Sequence, residues 1–166
     1  MTVRGPTQTK GTAMCKILIV YHSQSGHTRE MAERAAAGAG AIDGVRVSLK
    51  RAADATLQDL IACDGLLIGS PEYFGYMAGM VKDFFDRTYT GARGEKRIFK
   101  KPYAAFISAG NDGTGALTAI ERICIGYPLK KVCEAVIAKG EIDGGILDRC
   151  EELGMTIAAG CEAGIY

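Results

Sequence analysis

Apolar positions along the chain fall into short continuous runs separated by helical patterns, and the two alternate throughout. Ile17–Tyr21 is the first run and reads as a buried strand. After a polar loop, Met31, Ala32, Ala35 and Ala36 recur at helical spacing to about Ala39, and Gly38, Gly40 and Gly44 surround the expected helix stop. Val45–Leu49 alternates as a second strand, and Asp54 is placed to cap a short helix carrying Leu57, Leu60 and Ile61. Leu66–Gly69 is too short for a helix and typical of a strand covered on both faces.

A loop over Ser70–Tyr76 then leads to a helix bearing Met80, Val81, Phe84 and Phe85. Gly91–Lys101 is hydrophilic and basic. Tyr103–Ser108 is the fourth strand, and Ala109–Gly115 a glycine-rich loop. A helix carries Leu117, Ile120, Ile123 and Cys124, and Glu134–Ala138 is the fifth strand. Asp148 is expected to open a last helix that turns Cys150, Leu153 and Ile157 inward.

Five strands alternating with five helices predict an α/β protein: a three-layer, doubly wound, five-stranded parallel sheet with helices on both faces. In such a sheet ligands bind beyond the carboxyl ends of the strands. A strand order of 2-1-3-4-5 would bring the loops after the first, third and fourth strands together there, and these are the loops richest in Gly, Ser and Pro.

The first of them is Ser23-Gln24-Ser25-Gly26-His27-Thr28. The first amides of a helix lack internal partners and sit at the positive end of its dipole, so hydroxyls at Ser23, Ser25 and Thr28 could complete a cradle for one phosphate. No Lys or Arg lies within the loop. The plainer reading is a helix cap by Ser25 or Thr28, with Glu30 favouring the same dipole. In the second loop, Pro71, Glu72, Tyr73, Phe74 and Gly75 present adjacent aromatics, either as a lid on the local core or as a platform for a flat ligand. The third, Ser108, Ala109, Gly110, Asn111, Asp112 and Gly113, allows close backbone approach to a ligand. It could equally be a helix entry capped by Asn111, Asp112 or Thr114.

The bulk properties narrow the function classes. A chain of 166 residues, 48% hydrophobic and 23% charged, suits one soluble domain, and a formal net charge of +1 offers no general attraction for nucleic acid. No apolar run is long enough for a membrane-spanning helix, and no signal-peptide pattern opens the chain. The six cysteines are scattered without a Cys-x-x-Cys pair, and read as reduced, mostly buried thiols of a cytoplasmic protein. The polar stretch 1–13 is expected to be a flexible leader and 14–166 the domain.

Taken together, Ser23–Thr28, the run GSPEYFGYMAG (Gly69–Gly79) and SAGNDGTG (Ser108–Gly115) resemble the three flavin-binding loops of the flavodoxin-like superfamily. The middle run is most similar to the WrbA-type NAD(P)H:quinone oxidoreductases. The resemblance spans the chain from Met14 onward. It implies a flavodoxin-like fold and FMN, its phosphate held by Ser23–Thr28, its ring flanked by Pro71–Gly75, and the ring's polar edge met by Ser108–Gly113. Further, it implies electron transfer from NAD(P)H to a quinone-like or other small acceptor. The alternative is a flavodoxin-type electron carrier that works with a redox partner protein. A homodimer or higher homo-oligomer is in keeping with either; nucleic acid and membrane are not expected partners, and neither a metal nor a catalytic acid or base is assigned. The chain has no Trp and is near neutral, unlike the strongly acidic carriers, and its only histidines, His22 and His27, both lie at the first loop. The basic stretch Arg93–Lys101 reads as a solvated loop, with attraction of an NADPH phosphate or an acidic partner as the other reading.

Overall fold

The computed structural model describes residues 13–166. The expected leader, apart from Ala13, lies outside the described residues. In chain order the elements are β1 (Cys15–Tyr21), α1 (His27–Gly40), β2 (Val45–Arg51), α2 (Leu57–Ala62), β3 (Gly65–Tyr73), β4 (Tyr76–Met77), α3 (Gly79–Ala92), β5 (Pro102–Ala109), α4 (Thr114–Gly126), β6 (Lys130–Lys131), β7 (Val136–Lys139) and α5 (Gly144–Glu162). β1 pairs in parallel with β2 and β3, β3 with β5, and β5 with β7. The five main strands therefore run β2-β1-β3-β5-β7, which is the expected order.

Alternation along the central strands divides the core into two layers. Ile17, Ile19, Leu67, Ala104 and Phe106 face α1 and α5, with Met31, Ala35, Leu153 and Ile157. Leu18, Val20, Leu66, Ile68 and Ile107 face the other way, towards Val81, Phe84, Phe85 and Ile120 of α3 and α4. β1, β3 and β5 are covered on both faces, so their apolar runs are continuous. Helices α1 and α5 pack so closely that a Cβ at Gly38 would lie 2.1 Å from the Glu151 carbonyl oxygen, and one at Gly154 2.0 Å from that of Ala35.

Several boundaries differ from the pattern reading, each for a local reason. Asp54 does not cap α2. Thr56 does, in a reciprocal capping box with Asp59. The last helix opens four residues before Asp148, at Gly144, because Asp143 accepts from the Ile146 amide at 2.8 Å. The weak helix formers Gly144 and Gly145 conceal that start in the sequence. The fifth long strand begins at Val136 instead of Glu134, and two-residue β6 pairs separately with the start of β5. Lys101 is not part of a solvated run. It is buried, and its ammonium donates to the carbonyls of Leu60 (2.5 Å), Ile61 (3.1 Å) and Cys63, which closes the end of α2.

The segment Ser70–Tyr76 is not an open loop either. β3 continues through Tyr73, turns at Phe74 and Gly75, and returns antiparallel as β4, with Tyr73 opposite Tyr76 and Glu72 opposite Met77. Both turn residues have positive φ, 52° and 71°, as a two-residue hairpin of the I′ kind requires.

Candidate functional site

The loops after β1, β3 and β5 meet at the carboxyl edge of the sheet, and side chains join them. Thr28, in the first turn of α1, and Ser108, near the end of β5, share a hydrogen bond at 2.8 Å, both buried. Pro71 pairs with Ser108 in the sheet register. The Ser70 hydroxyl donates to the Pro71 carbonyl at 2.7 Å and accepts from the Ala78 amide at 2.9 Å, which ties the base of the hairpin.

Glu72 links the hairpin to α4. Its carboxylate accepts from the amides of Gly113 (3.3 Å) and Ala116 (3.0 Å) at the start of α4. The hairpin tip rests on the same helix: a Cβ at Gly115 would lie 2.0 Å from the Gly75 carbonyl oxygen. The backbone amide of Gly113 is thus already engaged, and Thr114 is met by Asp112, whose Oδ1 accepts from its amide at 2.9 Å and its hydroxyl at 2.8 Å. Those bonds, the backbone one first, hold the Asp112 carboxyl below its ordinary range. Ala109 ends β5, and Gly110 and Asn111 are exposed on the rim.

In the first loop neither Ser25 nor Thr28 caps α1. The N-cap is Gly26, at φ 104°, with no side-chain cap. Ser23 accepts from the Gly26 amide at 3.1 Å, Thr28 is turned inward to Ser108, and Gln24 and Ser25 are exposed. His27 lies 3.8 Å from Glu141 of the β7–α5 loop. The amides at the start of α1 thereby have no side-chain partner.

The aromatics divide. Tyr73 is half-buried and meets His22 edge-on, with ring centroids 6.3 Å apart. Burial raises the Tyr73 hydroxyl above its ordinary range. Phe74 is fully exposed at the hairpin tip. Pro71, Glu72, Tyr73, Phe74 and Gly75 therefore form one wall of the edge, and Ser108, Ala109, Gly110, Asn111, Asp112 and Gly113 the other, with Ser23–Thr28 between them and the end of β2.

Three residues beside the site were given no role in it by the sequence reading. His22 stands between the first loop and Tyr73, and burial, followed by the nearby Arg51 charge, lowers its pKa. Arg29 and Arg51 line a cavity of about 440 Å³ with Tyr21, Ser23, Gln24, Ser25 and Gly26. The first loop therefore has basic neighbours although it contains no Lys or Arg. Arg51 reaches it because parallel pairing sets it beside Tyr21, a register that hydropathy does not reveal. Among the described residues no group of three or more His, Cys, Asp or Glu is arranged to hold a metal ion.

Residues 43–127 match the model of the family described as NADPH-dependent FMN reductase. A flavodoxin of Aquifex aeolicus (strain VF5) is 39% identical over 102 residues, which cover 61% of this chain and 54% of that protein. This chain thus matches about half the length of that relative. An NAD(P)H dehydrogenase (quinone) of Acidithiobacillus ferrooxidans is 29% identical over 162 residues, with 80% of each chain covered. Among solved structures, a flavodoxin from the domain Archaea superposes with a TM-score of 0.76 at 26% identity, covering 89% of this chain and 99% of that one.

Proposed function

This chain belongs to the NADPH-dependent FMN reductase family, and from that premise we propose that it binds FMN and passes electrons from NAD(P)H to a quinone-like or other small acceptor. The observation that carries the reading is the convergence of three loops held to one another by side chains, Thr28 to Ser108 and Glu72 to Gly113 and Ala116. The donor set fits the cofactor. Uncapped amides at the start of α1 and the Ser23 and Ser25 hydroxyls suit a phosphate monoester, and no carboxylate lies within Ser23–Thr28.

Bound FMN supplies the hydride and single-electron chemistry, and the chain's part is to hold and orient it. Ser23, Gln24, Ser25, Gly26, His27 and Thr28 form the phosphate loop. Tyr73 and Phe74 offer aromatic faces on one wall, and Ser108–Asp112 offer backbone groups on the other. Because Glu72 occupies the Gly113 and Ala116 amides, the groups left to meet the ring's polar edge are those of Gly110, Asn111 and Asp112. Glu72 itself is a positioning residue: it fixes the spacing of the two walls.

The quinone-dehydrogenase relative supports the enzymatic reading, and the Aquifex flavodoxin supports a second, an electron carrier that depends on a redox partner protein. Anaerobic mixing of the FMN-loaded protein with NADH or NADPH separates them. Bleaching by a pyridine nucleotide alone, reversed by a quinone, supports the oxidoreductase. Bleaching only when a separate reductase is added identifies the carrier.

A further inference from the structure

The loop between α3 and β5 and the loop between α4 and β6 lie side by side at the amino edge of the sheet. The Lys100 amide donates to the Pro128 carbonyl and the Lys130 amide to the Lys101 carbonyl, both at 2.9 Å. Pro102 and Lys130 are partners in the strand register, so the two loops form one surface. Arg93, Lys96, Lys100 and Lys130 are exposed on it, and among the described residues no ion pair engages any of them. The neighbouring carboxylates are taken: Glu95 meets Arg97 at 3.4 Å, and Glu121 meets Lys131 at 3.2 Å. None of these cations sits in the last turn of α3 or α4, where it would serve the negative end of a helix dipole.

Apolar side chains stand among the charges. Phe99 is 62% exposed and Ile125, near the end of α4, 76%. Lys100 adopts a left-handed backbone, φ 57°, which L side chains disfavour. Its ammonium lies over the Phe99 ring, 5.4 Å from the centroid, so aromatic and cation are presented together. Exposed apolar groups set among unpaired Lys and Arg suit the surface of an anionic bilayer. The ring and the aliphatic chain enter the headgroup–acyl boundary, and the cations stay with the phosphates on their flexible stems. Ile125 disfavours nucleic acid, whose bases stack on aromatic rings and offer an aliphatic side chain little.

We propose that this amino-edge face docks on an anionic lipid surface, with Phe99 and Ile125 inserted and Arg93, Lys96, Lys100 and Lys130 on the headgroup phosphates. Contact is peripheral: among the described residues no helix is long and apolar enough to cross a membrane. The eight residues of β5 set this face roughly 25 Å from the Ser108 end of the sheet, so a docked bilayer leaves the three loops open. Docking is therefore independent of the flavin reading. The formal net charge of +1 averages this face with carboxylates elsewhere, and so conceals it.

The test is co-sedimentation of the full chain with vesicles of phosphatidylglycerol and phosphatidylcholine in equal parts, against phosphatidylcholine alone, over a range of salt. Binding to the anionic vesicles is expected to be about tenfold tighter or more, and to weaken as salt rises. Lys96→Gln/Lys100→Gln should weaken it by about twentyfold, roughly fivefold for each charge. Phe99→Ser, verified as folded by circular dichroism like the double variant, should weaken it at constant charge. The chain has no Trp, so Phe99→Trp adds a single reporter whose emission should move to the blue on anionic vesicles. Equal binding to the two vesicle types, or none to either, overturns the proposal. Charge variants that bind like the wild type overturn it as well. Phe99→Ser binding undiminished, with no blue shift of Phe99→Trp, does the same, because nothing then inserts. Tighter binding of single-stranded RNA than of the anionic vesicles at equal salt would replace the lipid with a nucleic acid.

Discussion

The carboxylate of Glu72 accepts a hydrogen bond from the amide of Ala116 at 3.0 Å, 44 residues along the chain, while its other oxygen accepts from Gly113. A residue of the hairpin thereby caps a helix that belongs to the opposite wall of the site. Helix α4 starts at a left-handed Gly113 with no side-chain cap of its own. The link is at once part of the helix's stability and the spacer between the two walls.

Glu72→Ala is expected to cost about 1–2 kcal/mol of folding stability, the usual effect of removing a helix cap. It should also weaken FMN binding, since the hairpin loses its tether. Glu72→Gln keeps an oxygen acceptor and should recover much of both. Denaturant midpoints and FMN titrations of the two variants check this.

Gly115 tests the same contact sterically. An added Cβ would lie 2.0 Å from the Gly75 carbonyl oxygen, and a backbone atom cannot turn aside as a flexible side chain can. Gly115→Ala is expected to destabilise by about 1–3 kcal/mol in spite of the better helix propensity of Ala. It should weaken FMN binding by pushing the hairpin outward. Gly79→Ala, where a Cβ meets nothing within 4 Å, is the control that leaves binding intact.

Phe74 is fully exposed and stands at φ 52°, a conformation that costs a bulky residue about 1–2 kcal/mol. Phe74→Asn produces the Asn-Gly pair favoured in such turns and is expected to raise the flavin-free protein's stability by about 1 kcal/mol. If Phe74 offers its ring to the flavin, the same variant binds FMN less tightly. Thermal unfolding with and without FMN reads both effects.

His22 carries the pH dependence. Burial, and then the Arg51 charge, lowers its folded pKa below the unfolded value near 6.5. The unfolded chain therefore binds the proton more readily, and this contribution to stability is complete above pH 6.5. It should decline as the pH falls through 6.5 and level off below the folded pKa. His22→Gln should flatten that part of the stability profile, measured by denaturation between pH 5 and pH 8.

The sequence carried the fold further than the site. β1, β3 and β5 were legible because burial on both faces makes their apolar runs continuous. The three loops were legible because Gly, Ser and Pro cluster there. The hairpin was not, since its turn places Phe74 where turn chemistry calls for Asn or Gly. Glu72 as a helix cap, Arg51 beside the first loop and Lys101 at the end of α2 all depend on which strands lie side by side. Residues 41, 30 and 41 positions apart (Glu72–Gly113, Tyr21–Arg51, Leu60–Lys101) meet only through that register. No local pattern encodes it.

The most direct measurement is an absorption spectrum of the purified protein after FMN addition and desalting. Retained flavin bands, lost or diminished in Glu72→Ala and Gly115→Ala, are the result expected of a site built between the hairpin and α4. A protein that emerges colourless from the desalting column, with its fold intact by circular dichroism, would contradict the flavin site and with it the oxidoreductase and carrier readings alike.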